Sequence, residues 1–323
     1  MTSCGITSPT RDVNLVAAAL EGDRYALARL ISLIEDRDPA AQDAMRALFP
    51  HTGRAHLIGV TGPPGSGKST LVNVLTQRFR ALDRTVGIIA VDPSSPFTGG
   101  ALLGDRVRMR DLAGDPGVFV RSMATRGSLG GLAQATNDVV KVLDAAGFDG
   151  VLIETVGAGQ SEVDIARTAH TTIVLEAPGM GDEVQALKAG LMEIADILVV
   201  NKADRPGAAR TARALEMVID RNAPVGDEGW QPPILQTIAL DGSGVPGLVQ
   251  AIDDHRRHLC TTGLLAERER RRIETELLSV LQRELLERLV SRVGQEQLEA
   301  WIGRVAAREV DVYTVANRLC EPA

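Results

Sequence analysis

The run Gly62-Pro63-Pro64-Gly65-Ser66-Gly67-Lys68-Ser69-Thr70 fits G-x-x-x-x-G-K-[ST] and has the residue types needed to hold a chain of phosphates. Glycines let backbone N–H groups turn inward around an anion, and the start of the following helix adds partial positive charge. Lys68 carries a full charge toward the β- and γ-phosphates, and Ser69 offers a hydroxyl to Mg²⁺. A second cluster, Asn201-Lys202-Ala203-Asp204, reads as N-K-x-D. The Asp204 carboxylate can accept from both the N1–H and the exocyclic amine of guanine, a pair of donors that adenine lacks. Asn201 would brace the loop and the Lys202 stem would cover the base. Downstream, Ile238, Ala239 and Leu240 are positioned to lend a backbone N–H to the guanine O6, although guanine-binding chains usually carry Ser-Ala there.

Acidic residues near strand ends are the remaining candidates for chemistry. Glu154, three residues before Gly157, stands where D-x-x-G is common. It can reach a Mg²⁺ shell while the Gly157 N–H turns to the γ-phosphate. Asp92 and Asp105 are candidates for the same metal shell or for orienting water, but spacing alone does not separate them from solvated loop acids.

These residues need elements that bring them to one place. Short apolar runs at 57–60, 86–91, 118–120, 151–153, 172–175, 197–200 and 234–238 alternate with helical stretches. That alternation predicts βαβ units, and the absence of polar alternation within the runs predicts strands buried on both faces of a mostly parallel sheet. The fold class is therefore α/β, a P-loop NTPase core with helical extensions at both ends. Residues 1–50 form an N-terminal helical annex in which 13–35 has helical spacing throughout, 51–260 the nucleotide domain, and 261–323 a C-terminal helical arm. Within that arm a helix over 264–293 carries the stripe Ile273, Leu277, Leu281, Leu285 and Leu289, ending at Gly294. Packing on its own domain and dimerisation both satisfy that stripe.

Bulk properties exclude several classes. The net charge is −7, and the densest basic run, Arg268, Arg270, Arg271 and Arg272, is interleaved with glutamates. It reads as a solvated helix face, so no nucleic-acid partner is expected. No apolar run approaches membrane-spanning length, and Cys4, Cys260 and Cys320 follow no metal-ligand spacing. A reduced, cytoplasmic protein without a membrane partner is the expectation. His255 and His258, at i,i+3, could share a metal but read better as solvated surface.

The ordered segments GPPGSGKST, VDPSSPFTGGALLGDRVRM, SMATRGSLGGLA, ETVGAGQSE, PGMGDEVQALKAG and NKAD resemble the MeaB/ArgK family from about residue 55 to 245. The resemblance implies a Mg²⁺-dependent GTPase, usually a homodimer, of the signal-recognition/MinD/BioD class. It would cycle between GTP and GDP while gating adenosylcobalamin loading and protecting or reactivating a cobalamin-dependent acyl-CoA mutase, with an adenosyltransferase as a further partner. Motif matching puts Asp92, Asp105 and Glu154 beside Ser69 in the metal shell. The segment 178–190 becomes a partner-sensing loop, with Asp182, Glu183 and Lys188 as its polar residues and Lys188 as a candidate for stimulating hydrolysis. The alternatives are a nickel-type metal-delivery GTPase, a kinase acting on a small molecule or transport protein, and a nucleotide-dependent scaffold.

Overall fold

The computed structural model describes residues 9–92, 112, 114–124, 131–155, 161–179, 193–222 and 229–321. It divides into two compact units, Met1–Arg268 and Glu269–Ala323. The first unit opens with helices α1 (Pro9–Leu20), α2 (Arg24–Glu35) and α3 (Pro39–Leu48). The continuous helical spacing over 13–35 does not yield one helix. Gly22 adopts φ 82°, and the Asp23 carboxylate caps α2 by accepting from the Ala26 N–H at 2.7 Å. A left-handed glycine followed by a capping acid ends one helix and starts the next, which hydrophobic spacing cannot reveal.

Strand β1 (His56–Thr61) then leads into α4 (Lys68–Arg80), followed by β2 (Val86–Asp92), β3 (Val118–Ala124), α5 (Gly131–Ala145), β4 (Gly150–Thr155) and α6 (Ser161–Thr168). Next come β5 (Thr171–Glu176), β6 (Ile197–Asn201), α7 (Ala208–Asn222), β7 (Ile234–Thr237) and α8 (Val245–Thr262). All seven apolar runs become strands of one sheet, ordered β3-β2-β4-β1-β5-β6-β7, and every pairing is parallel. Alternate side chains enter apolar clusters on the two faces of the sheet. Ile58, Val60 and Leu152 meet Leu71 and Leu75 of α4 and Leu248 and Ile252 of α8. On the other face Leu57, Ile89 and Ile153 join α5 and the N-terminal helices through Leu27, Leu30 and Ile31. Two-sided burial is why β1 and β5 are buried at every position.

The second unit contains the remainder of α9 (Leu264–Val293), then α10 (Gln295–Ala306) and α11 (Val312–Cys320). Gly294 does end the long helix, at φ 83°. The guanidinium groups of Arg304 and Arg318 lie over the Trp301 ring, 4.7 and 5.6 Å from its centre, and Arg292 donates to the Leu319 carbonyl. Helix α9 buries no side chain, and Ile273, Leu277, Leu281 and Leu285 of its stripe are exposed. None of the helices among the described residues is long and apolar enough to cross a membrane. Cys260 and Cys320 are free thiols, and Cys4 lies outside the described residues.

The amino ends of the strands carry a buried polar network that overturns two expectations. His255 is not solvated surface; it is fully buried, with Nδ1 2.8 Å from the Thr171 hydroxyl and its ring tilted against Trp230. Nor does Arg268 belong to a solvated helix face. Its guanidinium donates to both carboxylate oxygens of Asp196 and to the His170 carbonyl. Periodicity reports which face a residue occupies but not what that face meets. Burial would raise the Asp196 pKa, but contacts with His255 and Arg268 outweigh it and hold the carboxyl below its ordinary range. Thr171 also bridges to His56 Nε2 at 2.8 Å. One hydroxyl has one proton, so it can donate to only one of the two imidazoles.

Burial, reinforced by His170 and Arg256, holds the His56 imidazole well below the ordinary histidine value. The unfolded chain takes up this proton near pH ~6.5 while the folded chain resists it. His56 therefore contributes stability that is complete above that pH and lost as pH falls toward the folded value. The urea midpoint should decline as pH drops from about 7 to about 5.5. His56→Gln should decline less over the same interval, and equal slopes would refute this assignment.

Candidate functional site

The phosphate-loop residues join β1 to α4. Gly62, Gly65 and Gly67 take φ values of 141°, 80° and 98°. Two of them have no room for a side chain. A Cβ on Gly62 would lie 2.2 Å from the Leu175 carbonyl oxygen, and one on Gly67 would lie 2.4 Å from Asn201 Nδ2. Lys68 opens α4 and is buried, its ammonium donating to the carbonyls of Gly62 (2.8 Å) and Pro63 (3.0 Å). The cation is thus folded into the loop that would wrap the phosphates. The buried Ser66 hydroxyl has no hydrogen-bond partner among the described residues.

Asn201, the last residue of β6, joins this loop to the base-side loop. Its Nδ2 donates to the Ser66 carbonyl at 2.8 Å, while Oδ1 accepts from the Thr237 hydroxyl at 3.2 Å and the Ala239 N–H at 3.1 Å. Lys202 follows in the left-handed region (φ 57°) and donates from Nζ to the Gly65 carbonyl at 2.7 Å, drawing its aliphatic stem across the gap. A pocket of about 120 Å³ opens there, with Gly67, Thr70, Asp204 and Leu240 among the residues that line it. Of the three backbone donors expected at 238–240, those of Ile238 and Ala239 are engaged by the Ser243 carbonyl and Asn201. The Leu240 N–H has no acceptor among the described residues, so it is the one free to meet a base oxygen. Arg205 also lines the pocket. Sequence reasoning missed it, because it follows the tetrad without belonging to a motif.

The candidate metal-binding residues converge from separate elements. Ser69 Oγ donates to Glu154 Oε1 at 2.5 Å, joining the first turn of α4 to the end of β4. Glu154 is buried. A hydroxyl beside a carboxylate is an all-oxygen donor set that suits Mg²⁺, so these residues fit the ion. Asp92 ends β2, whose neighbour in the sheet is β4, so its backbone reaches the same edge. Asp105, Gly157, Asp182, Glu183 and Lys188 lie outside the described residues.

A family model described as methylmalonyl Co-A mutase-associated GTPase MeaB matches residues 27–294. The chain belongs to the MeaB family of GTPases. A relative from Pyrococcus abyssi is 48% identical over 306 residues, covering 94% of each chain. Escherichia coli GTPase ArgK is 39% identical over 257 residues, covering 76% of each. A crystal structure titled LAO/AO transport system kinase aligns over 98% of both chains with a TM-score of 0.74 and 27% identity. The MeaB model spans the phosphate loop, the N-K-x-D tetrad and the 237–240 turn together.

The crowding at Gly67 makes a prediction. Gly67→Ala should weaken binding of a fluorescent GDP analogue by about ten-fold or more, since backbone strain and displacement of Asn201 act together. Gly247→Ala, in α8 with open space around the added methyl, should bind normally and unfold no earlier. Equal affinity for the two variants would show that the Gly67–Asn201 approach is immaterial.

Proposed function

We propose that this chain binds GTP with Mg²⁺ along the carboxyl edge of its sheet and hydrolyses it to GDP and phosphate. The cycle would gate adenosylcobalamin loading into an acyl-CoA mutase. The observation that carries the nucleotide reading is the Asn201 amide, which holds the phosphate loop and the base-side turn at a set separation. In this reading Asp204 accepts from the two guanine donors, the Lys202 stem covers the ring, and the Leu240 N–H meets O6. Residues 62–70 wrap the phosphates. Lys68 exchanges the carbonyls of Gly62 and Pro63 for the phosphate oxygens and stabilises charge that develops during cleavage. Ser69 and Glu154, with Asp92 and Asp105, would hold Mg²⁺, which neutralises phosphate charge when bound. A water oxygen bonds to the γ-phosphorus as the bond to the β-phosphate oxygen breaks. Lys188 is assigned by resemblance to the stimulated reaction.

The family description supports the mutase as partner, and the exposed apolar stripe on α9 supports residues 261–323 as a homodimer arm. Residues 1–50 serve as an annex to the nucleotide domain, 51–260, and the protein works in the cytoplasm. One solved relative carries a kinase title, so phosphoryl transfer to a small molecule or protein is the second reading.

Asp204→Asn tests the base-reading carboxylate. An asparagine can accept from N1–H but offers an amine to the exocyclic amine of guanine, so GTP affinity should fall by roughly 100-fold or more. Xanthosine triphosphate, which places a carbonyl there, should bind better than GTP. Retained GTP preference in calorimetry would remove Asp204 from the site. For the partner, mutase subunits should be captured to different extents with GDP and with a nonhydrolysable GTP analogue. Indifference to nucleotide would defeat the gating reading. Transfer of label from GTP to an acceptor other than water would favour the kinase.

A further inference from the structure

Two buried threonines to which the nucleotide motifs give no role lie where β1 and β4 reach the site. The parallel β1–β4 register runs from His56↔Gly150 to Val60↔Glu154. The next residues are Thr61, immediately before the phosphate loop, and Thr155, immediately after Glu154. They are joined by their side chains, the Thr155 hydroxyl donating to Thr61 Oγ1 at 3.1 Å. Both are almost fully inaccessible, at 3% and 0% exposed. Successive residues of a strand point to opposite faces, so this bond and the Glu154–Ser69 bond leave β4 on opposite sides. Thr155 is also the last β4 residue paired with β2, opposite Val91. The tip of β4 is therefore held on one face by a carboxylate and on the other by a hydroxyl.

We propose that Thr155 is a positioning residue for the metal shell: its hydroxyl, bonded to Thr61, extends the β1–β4 register one step beyond the backbone ladder and thereby sets the Glu154 carboxylate against Ser69. The proposal rests on the reading of Ser69 and Glu154 as Mg²⁺-holding residues. Valine is nearly isosteric with threonine but cannot make the bond, so Thr155→Val leaves the strand packed and frees its tip. Thr61 contributes the other half of the bond, which makes the pair testable from either side.

The experiment measures, by calorimetry on the full chain, the factor by which Mg²⁺ tightens GDP binding. Thr155→Val should reduce that factor about three- to ten-fold, the range expected for one net hydrogen bond, while Thr155→Ser should keep it. Thr61→Val should give the same loss, and Thr61→Val/Thr155→Val should add little to either single change. In hydrolysis assays Thr155→Val should lower kcat at limiting Mg²⁺, recover it at high Mg²⁺, and leave KM for GTP unchanged. A wild-type Mg²⁺ factor in Thr155→Val, or additive losses in the double variant, would overturn the proposal. Glu154→Gln separates the two levels. If it shifts the Mg²⁺ factor while Thr155→Val does not, only the positioning role fails. If Glu154→Gln has no effect, the metal reading fails and the proposal falls with it.

Discussion

The site depends on one planar amide. Asn201 is 1% exposed, and its two polar atoms reach the carbonyl of Ser66, the hydroxyl of Thr237 and the N–H of Ala239. These groups belong to segments far apart in the chain, so the amide acts as a spacer between the loop before α4 and the turn after β7. Inside a protein such a bridge is held firmly, because breaking it strands buried donors and acceptors. The approach also requires glycine at 67, where any Cβ would come within 2.4 Å of the amide nitrogen.

The parallel sheet makes that bridge possible. When every strand runs the same way, the loops after β1, β4, β6 and β7 emerge along one edge, where α/β folds place their ligands. Neighbouring β1 and β4 bring Ser69 and Glu154 together, and β6 beside β7 sets Asn201 against Thr237. The opposite edge has buried polar groups too, but their bonds close on one another. Asp196 receives Arg268 and the Thr172 N–H, Thr171 links two imidazoles, and the Trp230 indole donates to the Asp196 carbonyl. This end is a structural joint made largely of titratable residues.

The two units differ in how they are held. The first has an apolar core on each face of its sheet. In the second, Val315 is the one buried apolar residue among those described, and two arginines lie over the Trp301 ring. Exposed leucines on α9 leave apolar area in water, a cost of roughly 25 cal/mol per Å² that a second surface would relieve.

Contiguous features were readable from the residues themselves. Seven apolar runs became seven parallel strands, Gly62 to Thr70 formed the loop before α4, Gly294 ended the long helix, and the chain proved to belong to the MeaB family. Each is encoded within a few neighbouring residues through backbone sterics, burial period or a local motif. The helix break at Gly22 was also local, but a strong hydrophobic period masked it. Motif resemblance brought Glu154 to Ser69, but other contacts between distant segments were not readable: Thr155 on Thr61, Arg205 at the pocket, and buried His255 and half-buried Arg268 around Asp196. Strand order decided those. Periodicity states that a face is buried, while the identity of its neighbour follows only once the sheet has chosen which strands lie side by side.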